Sequence, residues 1–464
     1  MKEQINRIKE KLKIAKKADK KLKIFGASNH KYALKVPIEE KKLGALEKKY
    51  GVSLPAHFRA FLLEIADGGG GFDGSAPGPF YGIYPIKDAL KFSATYLANP
   101  CLLRPKMSDE QWRAIGGFAY EQECDDEENE EENEEEKILG GLLLIGTQGC
   151  SFETAIVIEG EFRGRIVNLD FDLCKPVFAF ESNFLDWYER WLDEVISGEL
   201  KDGVGWFGYY MGGSASELLQ IYEEARNRGD TELKNDCLDA LIRKAPRFET
   251  QILDNIESFI KNEAYSEDFA KLANILCAND FARGKAYLER LAQIDYLLFL
   301  QIIHWWAKDK KAASREFMSI ADENAAQILN QKDEERAAQT FRFYTYLLEN
   351  AKLDYGAKIE HFATSPNYSI RVTCFYALGQ LKNKSKYLKT LILGLSDEEP
   401  YVVTIALQAV CGLTDERLLP HLKAVAQRFL KDDENSVVTN LNRVLEPYGL
   451  DNKKIKKMEF KVEI

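Results

Sequence analysis

The chain of 464 residues has no apolar run long enough to span a bilayer. Its most apolar stretch, YLLFLQIIHWW (296–306), falls far short of the roughly 20 residues a transmembrane helix needs. Asp295 and Lys308 flank it, which reads as a buried helix. The N-terminus, MKEQINRIKEKLKIAKKADKK, lacks the apolar core of a secretory signal. Cysteine pairs are missing too. Cys101, Cys124, Cys150, Cys174, Cys237, Cys277, Cys374 and Cys411 are scattered without a CxxC, which predicts reduced, mostly buried thiols in a cytoplasmic protein. His30, His57, His304, His361 and His421 form no HExxH and no paired Cys/His spacing, so no zinc site is expected. Net positive charge is also absent, since the chain carries −11. Phosphate binding is carried by Lys and Arg, so direct nucleic-acid binding is disfavoured.

Catalytic signatures are equally lacking. The sequence has no nucleophile elbow, no P-loop and no dinucleotide fingerprint. Glu64 and Asp67 stand beside a run of four glycines, Gly68 to Gly71, and read as surface or capping carboxylates. Glycine-rich loops that hold phosphate precede a helix, where free N–H groups and the positive dipole end face the ligand. This run follows a helical pattern instead, so it reads as a C-cap and turn. No catalytic, metal-binding or cofactor-binding residue is assigned, and no cofactor is expected.

What is present divides the chain. Residues 1–36 read as a basic N-terminal helical extension, with Ile5, Ile8, Leu12 and Ala15 at helical spacing. A helix is predicted over 37–51, with Pro37 in its first turn and Gly51 at its stop. A second begins near Pro55, with Leu54, Phe58, Phe61, Leu62 and Ile65 as its buried stripe. Residues 121–136, EQECDDEENEEENEEE, repel one another and predict a disordered acidic insertion. Strand-like segments follow at 141–146, 154–160, 164–169 and 176–180, an antiparallel meander by their spacing. Phe184, Trp187, Tyr188, Trp191, Leu192 and Val195 then mark a packing helix. The glycine-rich stretch 201–213 is the expected linker, 214–450 is helical in pattern, and 451–464 is a charged tail. Trp305 and Trp306 point in different directions on a helix, so at least one is expected in the core. Three segments in the last part align at spacings of 32 and 35 residues. Ile370, Val402 and Val437 correspond, as do Cys374, Ala406 and Leu441, and Ala377, Ala409 and Val444.

LEKKYGVSLPAHFRAFLLEIADGGG (46–70), GLLLIGTQGCSFETAIVI (141–158) and FLDWYERWLDEVISG (184–198), in that order, resemble the SUKH superfamily, the Smi/Knr-like domains. Gly51, Leu54, Pro55, Phe58, Phe61, Leu62, Gly68, Gly69, Gly141, Gly146, Trp187 and Trp191 carry the likeness. Asp67 stands where the family often has Asn, and Cys150-Ser151 replaces part of a glycine pair. The helical repeats resemble HEAT-like units, whose V-R-x-x-A-x-x-A-L core is matched by Ile370-Arg371, Cys374 and Ala377-Leu378. The expected fold is thus an α+β SUKH-like domain over 37–200, an antiparallel sheet with packed helices, followed by an all-α HEAT-like solenoid.

The resemblance implies binding rather than catalysis. Bacterial SUKH proteins look like immunity proteins that neutralise toxin domains, often nucleases or deaminases, while eukaryotic relatives are regulatory or scaffolding modules. A HEAT-like DNA glycosylase would need a basic face, and residues 214–464 hold 35 Lys/Arg against 38 Asp/Glu. The acidic insertion, with Asp125, Asp126, Glu127, Glu128, Glu130, Glu131, Glu132, Glu134, Glu135 and Glu136, is a candidate partner-binding loop that mimics nucleic acid.

Overall fold

A computed structural model describes residues 1–117, 138–171, 174–200, 207–245, 248–262, 267–429 and 436–459. The acidic insertion therefore lies outside the described residues. The chain forms two compact units, Met1–Lys244 and Ala245–Ile464.

In the first unit, β1 (Leu142–Gly149), β2 (Phe152–Val157), β3 (Ile166–Asp170) and β4 (Cys174–Phe178) form one sheet in sequential order. Each pair is antiparallel, with Leu143 opposite Ile156 and Ala155 opposite Val167. Apolar residues stand at consecutive rather than alternate positions in Leu142–Ile145, Ala155–Val157 and Ile166–Val167, because both faces of the sheet are covered. Leu143, Ile145, Ile156 and Ile166 join one core, while Leu142, Leu144, Val157, Val167 and Leu169 join another. Leu103, Met107, Ile138 and Trp112 pack on the second face.

Helices supply the first core. These are α1 (Lys2–Ala18), α2 (Glu40–Tyr50), α3 (Ala56–Glu64) and, after the sheet, a long helix at Phe184–Ser197. The predicted stripes on α1 and α3 are buried, as are the six apolar residues of the long helix. Pro37 is not in the first turn of α2, which begins at Glu40. The Ile38 N–H donates to the Leu62 carbonyl at 3.0 Å, and this ties the lead-in to α3 in extended form.

Residues 1–36 are woven into this same core. Along the long helix, Gln4 bonds Asp186 at 2.8 Å, Arg7 bonds Glu189 at 2.9 Å and Lys11 pairs with Asp193 at 2.7 Å. Further on, the Tyr32 hydroxyl donates to buried Asp19 at 3.1 Å. A helical hairpin, Ala215–Arg228 and Thr231–Lys244, completes the unit. Ser214 and Glu217 form its capping box, and Gly229 takes the left-handed turn.

The second unit is helical throughout its described residues. Tyr296–Trp306, Glu334–Ala351, Tyr368–Gln380, Pro400–Val410 and Ser436–Leu445 each pack on the next. The nine aligned repeat residues are all buried in this stack. Pro400 occupies the first turn of its helix, where its missing N–H has no intrahelical partner to lose. Gly379 lets two neighbours close up, since a Cβ there would stand 2.8 Å from the Ala409 Cα. Trp306 is half-buried, its Nε1 donating to Asn274 at 2.9 Å, and Trp305 is 48% exposed. Neither indole is a core residue, which corrects the expectation. Cys237, Cys277 and Cys374 are buried free thiols, but Cys150 and Cys411 are exposed, so the thiols are less uniformly buried than their scatter implies.

Candidate interaction surface

The glycine run decides what kind of site the first unit can hold. Helix α3 ends at Glu64 and is capped by Ile65, so no glycine caps it. The glycines instead bring two backbone segments together. The Gly69 N–H donates to the Gly74 carbonyl at 2.6 Å, Gly70 to Ala33 at 3.0 Å and Gly71 to Ser75 at 2.9 Å. The Gly68 carbonyl accepts from Lys35 at 2.9 Å. These amides are spent inside the protein, and none of the three is free to bind a phosphate. A Cβ on Gly69 would press on the Ala33 carbonyl oxygen and stand 2.7 Å from that of Ser75. The run is therefore a close-approach device, and only Gly68, at φ +86°, needs the left-handed region.

The motif residues scaffold this device. Gly51 terminates α2 at φ +68°, and Pro55 is the residue before α3. Leu54, Phe58, Phe61 and Leu62 are buried beside Trp187 and Trp191. Gly141, at φ +67°, leads into β1, and a Cβ on Gly146 would press on the Gly82 carbonyl. The carboxylates near the glycines part company. Glu64 is exposed and faces Lys9 at 3.4 Å. Asp67 accepts the Ile86 N–H at 2.8 Å at the start of helix Ile86–Phe92, and burial raises its pKa. They form no acid–base pair.

Above this scaffold lies a surface that no periodicity announces. It is built by residues 20–36 and 68–82, which meet where Gly26, at φ +78°, lies under the Phe80 carbonyl. Phe25, Phe72 and Tyr81 form a ring cluster there. Centroids are 5.2 Å apart for Phe25 and Tyr81 and 6.0 Å for Phe72 and Tyr81. The only sequence signal is indirect: Phe25 and Phe72 sit beside glycines, outside any apolar stripe.

Two other features invite a chemical reading. Glu153 on β2 is half-buried, and burial pushes its carboxyl up to about 7. Its hydrogen-bonding neighbours are the hydroxyls of Thr147 and Tyr84, so it has an acid's pKa without a converging base. A cavity of about 490 Å³ is lined by Arg190, Glu181, Glu194 and Lys244 among others. Its charges are internally matched: Arg190 lies 2.7 Å from both Glu181 and Glu194, and Lys244 pairs with Glu199. Among the described residues no group of three or more His, Cys, Asp or Glu is placed to hold a metal ion, and no helix is long and apolar enough to cross a membrane.

The order of a two-helix entry, a four-stranded antiparallel meander and a closing aromatic helix fits one known family, and residues 37–190 match SMI1 / KNR4 (SUKH-1). Residues 37–190 are a SUKH-1 domain. The matched span runs from the lead-in of α2 into the long helix at Phe184–Ser197, numbered α4 hereafter. Residues 1–36 and the second unit lie outside the span, although the former share the domain's core. No curated protein and no solved structure matches the chain.

Proposed function

We propose that the protein is a non-catalytic protein-binding module, a bacterial immunity protein that neutralises a cognate toxin by direct binding in the cytoplasm. The SUKH-1 match carries this reading, because that fold is commonly an immunity module and generally not an enzyme. The internally spent glycine amides and the isolated acid Glu153 support it by offering no convergent chemistry. A HEAT-like array over about 214–450 would add a long partner surface. The stacked helices of the second unit, with the aligned small and apolar residues buried, suit its later part, while its first two helices, Ala215–Arg228 and Thr231–Lys244, belong to the first unit. In this reading 201–213 is the linker. The acidic insertion at 121–136 offers carboxylates to the basic cleft of a nuclease or deaminase toxin and speeds encounter.

The test begins with the product of the adjacent gene. Tight binding to the full-length protein, with survival of cells that express both, is the expected result. Cells that stay sensitive, with no binding, would overturn the proposal. Recovery of housekeeping or signalling proteins alone would make the protein a regulatory scaffold instead. Deleting 121–136 should slow association and flatten its salt dependence.

A further inference from the structure

Three observations coincide on the face built by residues 20–36 and 68–82. The first is exposed aromatic surface: Phe25 is 48% and Phe72 50% exposed, with Leu34 and Val36 exposed on the same segment as Phe25. The second is charge. Lys20, Lys21, Lys23, Lys31 and Lys35 are exposed on these segments; Lys35 acts on the Asp67 carboxylate, and the other four make no ion pair with another described residue. By contrast, Arg7 and Lys11 on α1 are engaged with α4. The third is backbone strain. Eight described non-glycine residues have positive φ, and Leu22, Lys31, Tyr32, Asp73 and Phe80 of these two segments are five of them. Strained backbone and solvent-facing rings both cost free energy, and such costs gather where a surface is used.

The geometry points to this face as the docking site for an acidic segment of a partner protein that inserts an aromatic or aliphatic side chain. Phe25, Phe72 and Tyr81 receive the apolar side chain, and the lysines receive the carboxylates around it. Charge complementarity selects this occupant. Residues 20–36 and 68–82 hold five Lys against the single Asp73, in a chain of net charge −11. A nucleic acid carries a charge on every nucleotide, so it meets more repulsion from the rest of a chain of net charge −11 than a short segment with a few carboxylates does. The apolar face of α1, with Ile5, Ile8, Leu12 and Ala15, is buried and adds nothing to a lipid-binding surface. The inference rests on the protein-binding reading above and assigns it a surface.

The test is panning of a phage-displayed random dodecapeptide library against the full-length protein. Enriched peptides should carry Asp and Glu flanking an aromatic or aliphatic residue. Their affinity should fall about tenfold or more for the F25A/F72A double variant. It should also fall for a K20E/K21E/K23E variant, which keeps the rings. An unchanged thermal transition in both variants shows that the fold is intact. Peptides with no acidic excess, no enrichment at all, or equal binding by the variants would overturn the assignment. Displacement of the peptides by oligo(dT) or by phosphatidylserine vesicles at lower concentration would reassign the face to nucleic acid or membrane. A partner from the adjacent gene that binds F25A/F72A as tightly as the unaltered protein would defeat this surface alone. The absence of any protein partner would defeat the reading beneath it.

Discussion

The guanidinium of Arg371 holds both carboxylate oxygens of Asp397, with Nε at 2.8 Å and Nη2 at 2.9 Å. Its remaining nitrogen, Nη1, donates to the carbonyls of Ser365 and Pro366 at 2.9 and 3.1 Å. Both side chains of the pair are only 9% exposed. One arginine thus ties the start of helix Tyr368–Gln380 to the turn before Pro400–Val410, and it does so with the planar fork that a lysine lacks.

Removing one partner of this pair strands the other charge. The Asp397→Ala variant should lose about 3 kcal/mol of stability in the second unit. The Asp397→Ala/Arg371→Leu double variant should lose clearly less than the sum of the two single changes, because it leaves no uncompensated charge. Hydrogen-exchange protection over 368–380 reads both. Strict additivity would mean that water reaches the pair.

A second relationship governs acid stability. His30 is fully buried, its Nδ1 accepts the Tyr32 N–H at 3.1 Å, and its Nε2 has no hydrogen-bond partner among the described residues. The rings of Tyr32 and Trp191 meet it edge to face, at 4.9 and 6.0 Å. Burial pushes its pKa down to about 4, against an opposing pull from Asp19. An unfolded imidazole titrates near 6.5, so between these values the unfolded chain binds more protons. The stabilisation is complete above pH 6.5 and is lost as pH falls toward 4, at most roughly 3 kcal/mol in all. Urea midpoints at pH 7.5 and 5 should diverge for the unaltered chain and diverge less for His30→Gln. Equal slopes would assign the acid sensitivity to another group.

Much of this fold is legible in the sequence where periodicity is strong. The stripes Ile5–Ile8–Leu12–Ala15 and Phe184–Trp187–Tyr188–Trp191 follow the helical repeat, and packing fixes them. The four strands show as β-branched runs between turn formers. What escapes is non-local backbone contact. Gly26 reads as one loop glycine among many, yet it lets residues 20–36 settle under Phe80. The run Gly68–Gly71 reads as a helix stop because sequence shows what precedes it, not the Ala33 and Ser75 carbonyls across from it. The Phe25–Phe72–Tyr81 surface escapes for the same reason, since its rings are brought together by that contact rather than by spacing.

Glu153 makes the opposite pH prediction to His30. Its carboxyl is held near 7 in the fold by burial, against about 4.3 in an unfolded chain. A raised carboxyl pKa means that the folded state binds the extra proton. Its favourable contribution is therefore present at low pH and is lost as pH rises through 7. Glu153→Gln keeps the neutral shape at every pH. It should melt higher than the unaltered protein at pH 8.5 and close to it at pH 5. A variant that melts lower at both would show that the carboxylate is needed by its hydroxyl neighbours.

Two glycines separate steric need from conformational freedom. Neither Gly44 nor Gly69 has a φ in the left-handed region. Gly44 lies inside α2 with nothing within 4 Å of a built Cβ. Gly44→Ala should therefore stabilise the protein by about 0.5–1 kcal/mol, through helix propensity and a stiffer unfolded chain. Gly69→Ala meets the carbonyl oxygens of Ala33 and Ser75, which are backbone atoms locked by the bonds of the glycine run. Forcing them apart should cost about 2–3 kcal/mol. It should also loosen protection of the Gly70 and Gly71 amides before the rest of the unit. Thermal melts of the two variants give the sign, and hydrogen exchange locates the damage. If Gly69→Ala left both unchanged, the close approach of residues 30–35 and 74–76 to the glycine run between them would not hold the surface of Phe25 and Phe72 in place.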